Sequence, residues 1–307
     1  MNQERRKQLI GIACVNLATL VWATNMVLGR LIKDSAGPIT ISAARFCIAS
    51  LLFALLLQRQ PPAERRMGKD RWLLAGMALT GVILFSPVLY LGLRYTTAVN
   101  STIINGLGPL LTGVLAAWLL KEPMSVRQTT GAVVALAGVL FLISGGSLSF
   151  WQSAQFNIGD LIILAAVAFW GMYSVISSKV LRGRSSVSAT AFSTFIGLPV
   201  LCLLAVAEMQ HIPVVLDGRL LAIILYLGVV PAAAGFYAWN AGVARLGASG
   251  AMVFYNTLPL YGALLGVAFL GETIELPHVV GGLLIVGGGL WAAKRAEPAR
   301  ADHQRSH

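Results

Sequence analysis

Trp22 and Asn25 stand three residues apart in the middle of an apolar run, and Trp170 and Tyr173 repeat that spacing 148 residues later. Neither pair includes a carboxylate, a histidine or a thiol, the commonest nucleophiles, bases and metal ligands. Side chains of this kind recognise. Rings stack or take a cation on their faces, and amides orient a polar group by hydrogen bonds. The same chemistry recurs along the chain. Phe85 and Tyr90 flank Pro87, and Tyr237 and Asn240 follow Pro231 at a spacing of three. Asn105 precedes Pro109, while Tyr255 and Asn256 precede Pro259. This is binding chemistry without reaction chemistry.

The elements that position these residues are long and apolar. Of the 307 residues, 57% are hydrophobic and 11% charged, against roughly 45–50% and about 25% in a soluble domain. That balance predicts an all-α integral membrane protein. Ten segments are long enough to cross about 30 Å of hydrocarbon: 9–32, 38–57, 71–93, 97–120, 126–144, 158–181, 187–207, 219–243, 248–270 and 276–293. The run from Leu9 to Ile32 is too long for a signal-peptide core of about 7–15 residues and reads as a retained helix. Residues 1–8 read as a cytoplasmic N-terminus, 145–157 as an extracytoplasmic linker and 294–307 as a disordered cytoplasmic tail.

The net charge of +11 sits in short clusters between apolar runs. That placement suits an anionic lipid surface and not nucleic acid. All Lys and Arg except Arg30, Lys33, Arg45, Arg94 and Arg219 fall on the N-terminal side of the spans, which places both termini in the cytoplasm. Cys14, Cys47 and Cys202 lie in apolar runs, and the four histidines lie near segment ends or in the tail. Neither set has ligand spacing, so no metal and no cofactor are expected.

The chain also repeats itself. "GPLLTGVLAAWLLKEP" from Gly108 and "LPLYGALLGVAFLGET" from Leu258 match at an offset of 150, and Gly131 and Gly138 recur as Gly281 and Gly288. "VWATNM" (21–26) matches "FWGMYS" (169–174) at 148. Each half then holds five helices (9–144 and 158–293). Because five is odd, the second half enters the membrane in the opposite sense. Inverted pairs of this kind place a solute at the midplane between the halves.

On that frame the expected site comprises Trp22, Asn25, Phe85, Tyr90, Asn105, Trp170, Tyr173, Tyr237, Asn240, Tyr255 and Asn256. Pro109 and Pro259 fall mid-span and should kink their helices, freeing the carbonyls of Asn105 and Tyr255. Pro87 and Pro231 are expected as further bends. Arg45, basic within a span, is expected to snorkel outward or to pair with Asp34, a substrate carboxylate being the alternative partner. Glu122 and Glu272 are expected to cap or tether the helix that follows each of them. The glycine-rich fifth and tenth spans read as packing scaffold, with at most a weak dimer face.

The motifs "LVWATNMVLGRLI", "AARF" and the two repeat stretches, with their following glycines, resemble the EamA-type branch of the drug/metabolite transporter superfamily across residues 9–293. Within it the chain is most similar to bacterial YddG-type exporters of aromatic and other amino acids. The resemblance implies an inner-membrane exporter of amino acids or similar small metabolites. From the residues alone the solute is small and partly apolar, so purines or cationic drugs stay open. The four-helix multidrug exporters of the superfamily carry an intramembrane Glu in their first helix. Trp22 and Asn25 stand there instead, which argues against proton-driven cation export. No carboxylate or histidine lies mid-span, so a membrane-embedded enzyme is disfavoured, and an uncoupled facilitator rocking between two states is expected.

Overall fold

A computed structural model describes residues 3–120, 126–146 and 157–293, whose regular elements are all helices. In the first half the helices are α1 (Gln3–Leu31), α2 (Pro38–Gln58), α3 (Arg71–Met77), α4 (Phe85–Tyr95), α5 (Ala98–Asn105), α6 (Gly108–Leu120) and α7 (Val126–Ile143). In the second they are α8 (Ile158–Val180), α9 (Ser186–Met209), α10 (Gly218–Leu227), α11 (Phe236–Tyr255), α12 (Leu258–Leu270) and α13 (Leu276–Ala293). Seven helical stretches among the described residues are long and apolar enough to cross a membrane. Three shorter apolar helices, 129–143, 258–270 and 276–291, accompany them. Leu51, Leu203, Leu264 and Leu283 are exposed on the outside, as a bundle dissolved in lipid requires.

Two departures from regular helix occur at one spacing. Ala78–Leu84, between α3 and α4, and Gly228–Gly235, between α10 and α11, are π-helical. Their first residues are 150 apart. A π turn widens the helix and leaves carbonyls without their usual i+4 partner. Sequence reading expected bends from Pro87 and Pro231. Pro231 does lie inside the second π segment, whereas Pro87 lies in the first turn of α4, just after the first.

Pro109 and Pro259 do not kink continuous helices. The helix stops at Asn105 and restarts at Gly108, and it stops again at Tyr255 and restarts at Leu258. Each proline sits in the first turn of the new helix, where its missing N–H costs nothing and its fixed φ is already helical. The two breaks are built alike. Leu111 N–H donates to the Leu107 carbonyl and Tyr261 N–H to the Thr257 carbonyl, again 150 residues apart. A further break inside α11 falls at Gly247, whose φ of +74° needs glycine.

The halves interlock. α1 packs on α11 and α12, α8 on α4 and α6, α2 on α9 and α7 on α13. Glycine sets the closest of these approaches. A Cβ on Gly138 would lie 2.8 Å from the Gly281 carbonyl, and one on Gly288 would lie 2.6 Å from the Gly131 carbonyl. The expected packing role of these spans is what α7 and α13 display.

Carboxylates stitch the same interfaces. Glu208 at the end of α9 accepts from Ile39 and Thr40 N–H at the start of α2, at 3.1 and 2.7 Å. Reciprocally, Glu64 beyond α2 accepts from Ser185 N–H at the start of α9. Glu272 accepts from Ala98 and Val99 N–H, both at 2.8 Å. It therefore caps α5 in the other half and not the helix after it, placing its charge on the positive end of a helix dipole. Glu122 lies outside the described residues.

Candidate functional site

At the centre, rings from both halves meet. Trp22 of α1 and Trp170 of α8 stand edge to face with centroids 4.8 Å apart. Tyr173 stacks on Trp170 at 4.9 Å, and Phe85 lies 4.9 Å from Trp170. Phe236 and Trp239 of α11 close the group against Trp22 at 5.9 and 5.6 Å, and Tyr255 packs on Trp239 at 5.4 Å. The π segments make this convergence possible. Gly235 lets the Trp22 indole come close, and its Nε1–H donates to the Pro231 carbonyl at 3.1 Å. Gly81, in the other π segment, gives the same room to the Tyr173 ring.

Two polar trios flank the rings. In the first half, Asn25 Oδ1 accepts from Arg45 Nη1 at 2.8 Å and from the Tyr90 hydroxyl at 2.6 Å, and Arg45 Nη1 also donates to Tyr90 at 2.6 Å. In the second, Asn240 Nδ2 donates to the Tyr173 hydroxyl at 2.8 Å and to Thr190 Oγ1 at 2.7 Å. Asn25 and Tyr173 are repeat counterparts, as are Tyr90 and Asn240, so the asparagine–tyrosine pair recurs with its partners exchanged. Asn105 and Tyr255, 150 apart at the two helix breaks, bond directly, with the Tyr255 hydroxyl donating to Asn105 Oδ1 at 3.1 Å.

A cavity of about 10 Å³, room for roughly one water, opens among Trp22, Asn25, Met26, Arg45, Phe85, Leu89, Phe236 and Tyr255. A larger one of about 230 Å³ lies between Thr24, Val27, Leu28, Leu31, Tyr226, Leu265, Phe269 and Leu270. Its walls are almost wholly apolar, and the Thr24 and Tyr226 hydroxyls spend themselves on each other at 2.8 Å. It offers little to orient a polar solute. The smaller cavity, with a cation, an amide and five aromatic or thioether side chains, is the candidate site. Among the described residues no group of three His, Cys, Asp or Glu could hold a metal.

The model of the EamA-like transporter family matches residues 9–144 and again 157–293. The chain belongs to the EamA-like transporter family. It is a multi-pass membrane transporter carrying two copies of the EamA domain. The chain is 30% identical over 293 residues to the uncharacterized transporter YetK of Bacillus subtilis, covering 92% of this chain and 86% of that one. It is 28% identical to YyaM of the same organism, over 83% and 84% of the two chains. A protein of Streptantibioticus cattleyicolor named as a probable terminal-alkyne amino-acid exporter is 26% identical, over 91% and 92%. A crystal structure at 22% identity superposes with a TM-score of 0.62, covering 94% of this chain and 96% of that one, which shows the EamA chain sharing its fold.

Not every residue singled out from the sequence reaches this EamA centre. Trp22, Asn25, Phe85 and Tyr255 line the cavity, and Tyr90, Asn105, Trp170, Tyr173 and Asn240 are buried around it. Tyr237 is 42% exposed on the outside of α11, and Phe236 takes the inward position. The Asn256 amide lies against Gly289 of α13 without a hydrogen-bond partner, away from the cavity. Arg45 neither snorkels nor meets Asp34, which faces Lys33 at 4.0 Å. It is 2% exposed and points inward. Trp239, Met26 and Leu89 were missed. Trp239 is a mid-span indole of the same kind as Trp22 and was legible as such.

Proposed function

We propose that this EamA protein is a carrier that exports amino acids and related small amphipathic metabolites by alternating access. In this reading ten spans form two inverted five-helix halves (residues 9–144 and 158–293), with both termini on the cytoplasmic side of a bacterial inner membrane. The chain works as a monomer or weak homodimer. One observation carries it: rings and hydrogen-bonding groups from both halves converge on one buried cavity, where α1, α2 and α4 face α11. A site at the joint between two repeats is closed on one side or the other whenever the halves reorient. The amino-acid exporter among the relatives supports the substrate class, and an aromatic wall suits an amphipathic solute. Buried Arg45 makes the cavity unfavourable for cationic drugs by like-charge repulsion.

The carboxylates support an uncoupled facilitator. Glu64, Glu208 and Glu272 are committed as caps, and Asp160 at the start of α8 accepts from Thr96 and Asn100, away from the cavity. A proton-coupled carrier needs a titrating group in the transport path. The test is flux in proteoliposomes against a panel of amino acids, purines and cationic drugs, with and without an imposed pH gradient. Neutral and aromatic amino acids should move down their own gradients, several competing within about a hundredfold of one another. Accumulation against a gradient driven by protons alone would overturn the facilitator, and transport confined to purines or cations would overturn the substrate class.

A further inference from the structure

We infer that Arg45 is the residue that binds the carboxylate of the carried solute. The inference rests on the carrier reading above and names the chemistry its cavity demands. The guanidinium is buried and is paired with no Asp or Glu among the described residues. Its partners are neutral. Asn25 Oδ1 and the Tyr90 hydroxyl both meet Nη1, and Nε–H has no acceptor. The edge of the fork formed by Nε and Nη2 is thus left for a planar, two-oxygen acceptor, the shape of a carboxylate.

The neighbours offer donors as well. Arg45 has no lone pair to give, so the Asn25 atom facing it must be the oxygen, and that oxygen also serves Tyr90. What Asn25 keeps for the cavity is its NH₂. A cation and an amide donor, walled by Trp22, Phe85, Phe236 and Tyr255, form an anion site with an apolar flank.

The other half argues against a purely structural role. There the equivalent trio, Tyr173, Asn240 and Thr190, ties three helices together without any charge. Joining the helices therefore needs no arginine. Over the rings of Phe46 and Tyr90, with centroids 5.2 and 5.6 Å away, the cation still has no anionic partner; that is costly at this depth, and the carboxylate of the solute supplies one.

The experiment uses the purified full chain and four probes: L-phenylalanine, 3-phenylpropionate, phenylalaninamide and 2-phenylethylamine. Thermal stabilisation and proteoliposome counterflow are the readouts. Phenylalanine and 3-phenylpropionate should bind, and the two probes lacking a carboxylate should bind more than about tenfold more weakly. Arg45→Gln should abolish that preference, while Arg45→Lys should keep part of it. Should Arg45→Gln fail to fold, Tyr90→Phe, which retains the charge but loosens its position, should reduce the acid-to-amide ratio. A structural arginine would leave this ratio unchanged. Wild type binding phenylalanine and phenylalaninamide equally would overturn the inference and leave the carrier reading intact. Wild type binding none of the four would overturn both.

Discussion

Replacing Trp170 by alanine would empty a space bounded by Trp22, Phe85, Tyr173, Phe236 and Trp239. Such truncations cost about 3–5 kcal/mol, so a loss of transport would report folding as much as recognition. Trp170→Phe is the cleaner probe. It keeps the ring contacts, removes an indole N–H that has no partner, and should weaken phenylalanine transport several-fold with the melting temperature within a few degrees of wild type. The rings were legible in the sequence because an aromatic at mid-span has no interfacial explanation. Arg45's setting is not legible along its own stretch of chain, near Asp34, because its partners Asn25 and Tyr90 arrive from α1 and α4. Tyr237 is one residue out of phase. Its spacing of three from Asn240 leaves it about 160° around α11 from Trp239, whereas Phe236 lies three before Trp239 and four before Asn240 and so shares their inward face.

At the scale of elements, an all-helical membrane chain with an internal repeat could be read from apolar length and from the 150-residue offset. Breaks could not. Pro109 and Pro259 read equally well as kinks within one helix or as starts of new ones, and only the tertiary setting chooses the second. The caps were half visible. Glu272 stands out by recurrence, yet the helix it serves, α5, is a partner set by folding and not by sequence neighbourhood. The α7–α13 contact allows a paired test. Gly288→Ala places a Cβ 2.6 Å from the Gly131 carbonyl and 2.8 Å from Ala135 N, and should destabilise by about 1–3 kcal/mol as the backbones part. Gly287→Ala meets nothing within 4 Å and should be neutral or stabilising by up to about 1 kcal/mol. Thermal unfolding of both variants in one detergent reads the difference. Equal melting temperatures would mean that close approach of these helices contributes nothing.

For the molecule as a whole, residues 148 or 150 apart in the sequence repeat touch one another across the two halves. Trp22 meets Trp170 and Asn105 meets Tyr255, while Gly138 with Gly281 mirrors Gly288 with Gly131. The resemblance between halves is one of shape more than charge. Arg45 belongs to the first trio, and the second has Thr190 in its place. In the proposed alternating-access carrier, a lone cation in the cavity feels the membrane voltage, worth about 2.3 kcal/mol per charge per 100 mV. Under a potassium diffusion potential of that size, negative on the cytoplasmic side, the balance of the empty protein should shift toward the cytoplasm-facing state by as much as roughly fiftyfold. The shift should appear as a higher apparent affinity for phenylalanine on that side and should vanish in Arg45→Gln. A living cell's resting voltage would then hold the unloaded protein open to the cytoplasm, the side from which the proposed exporter would have to fill.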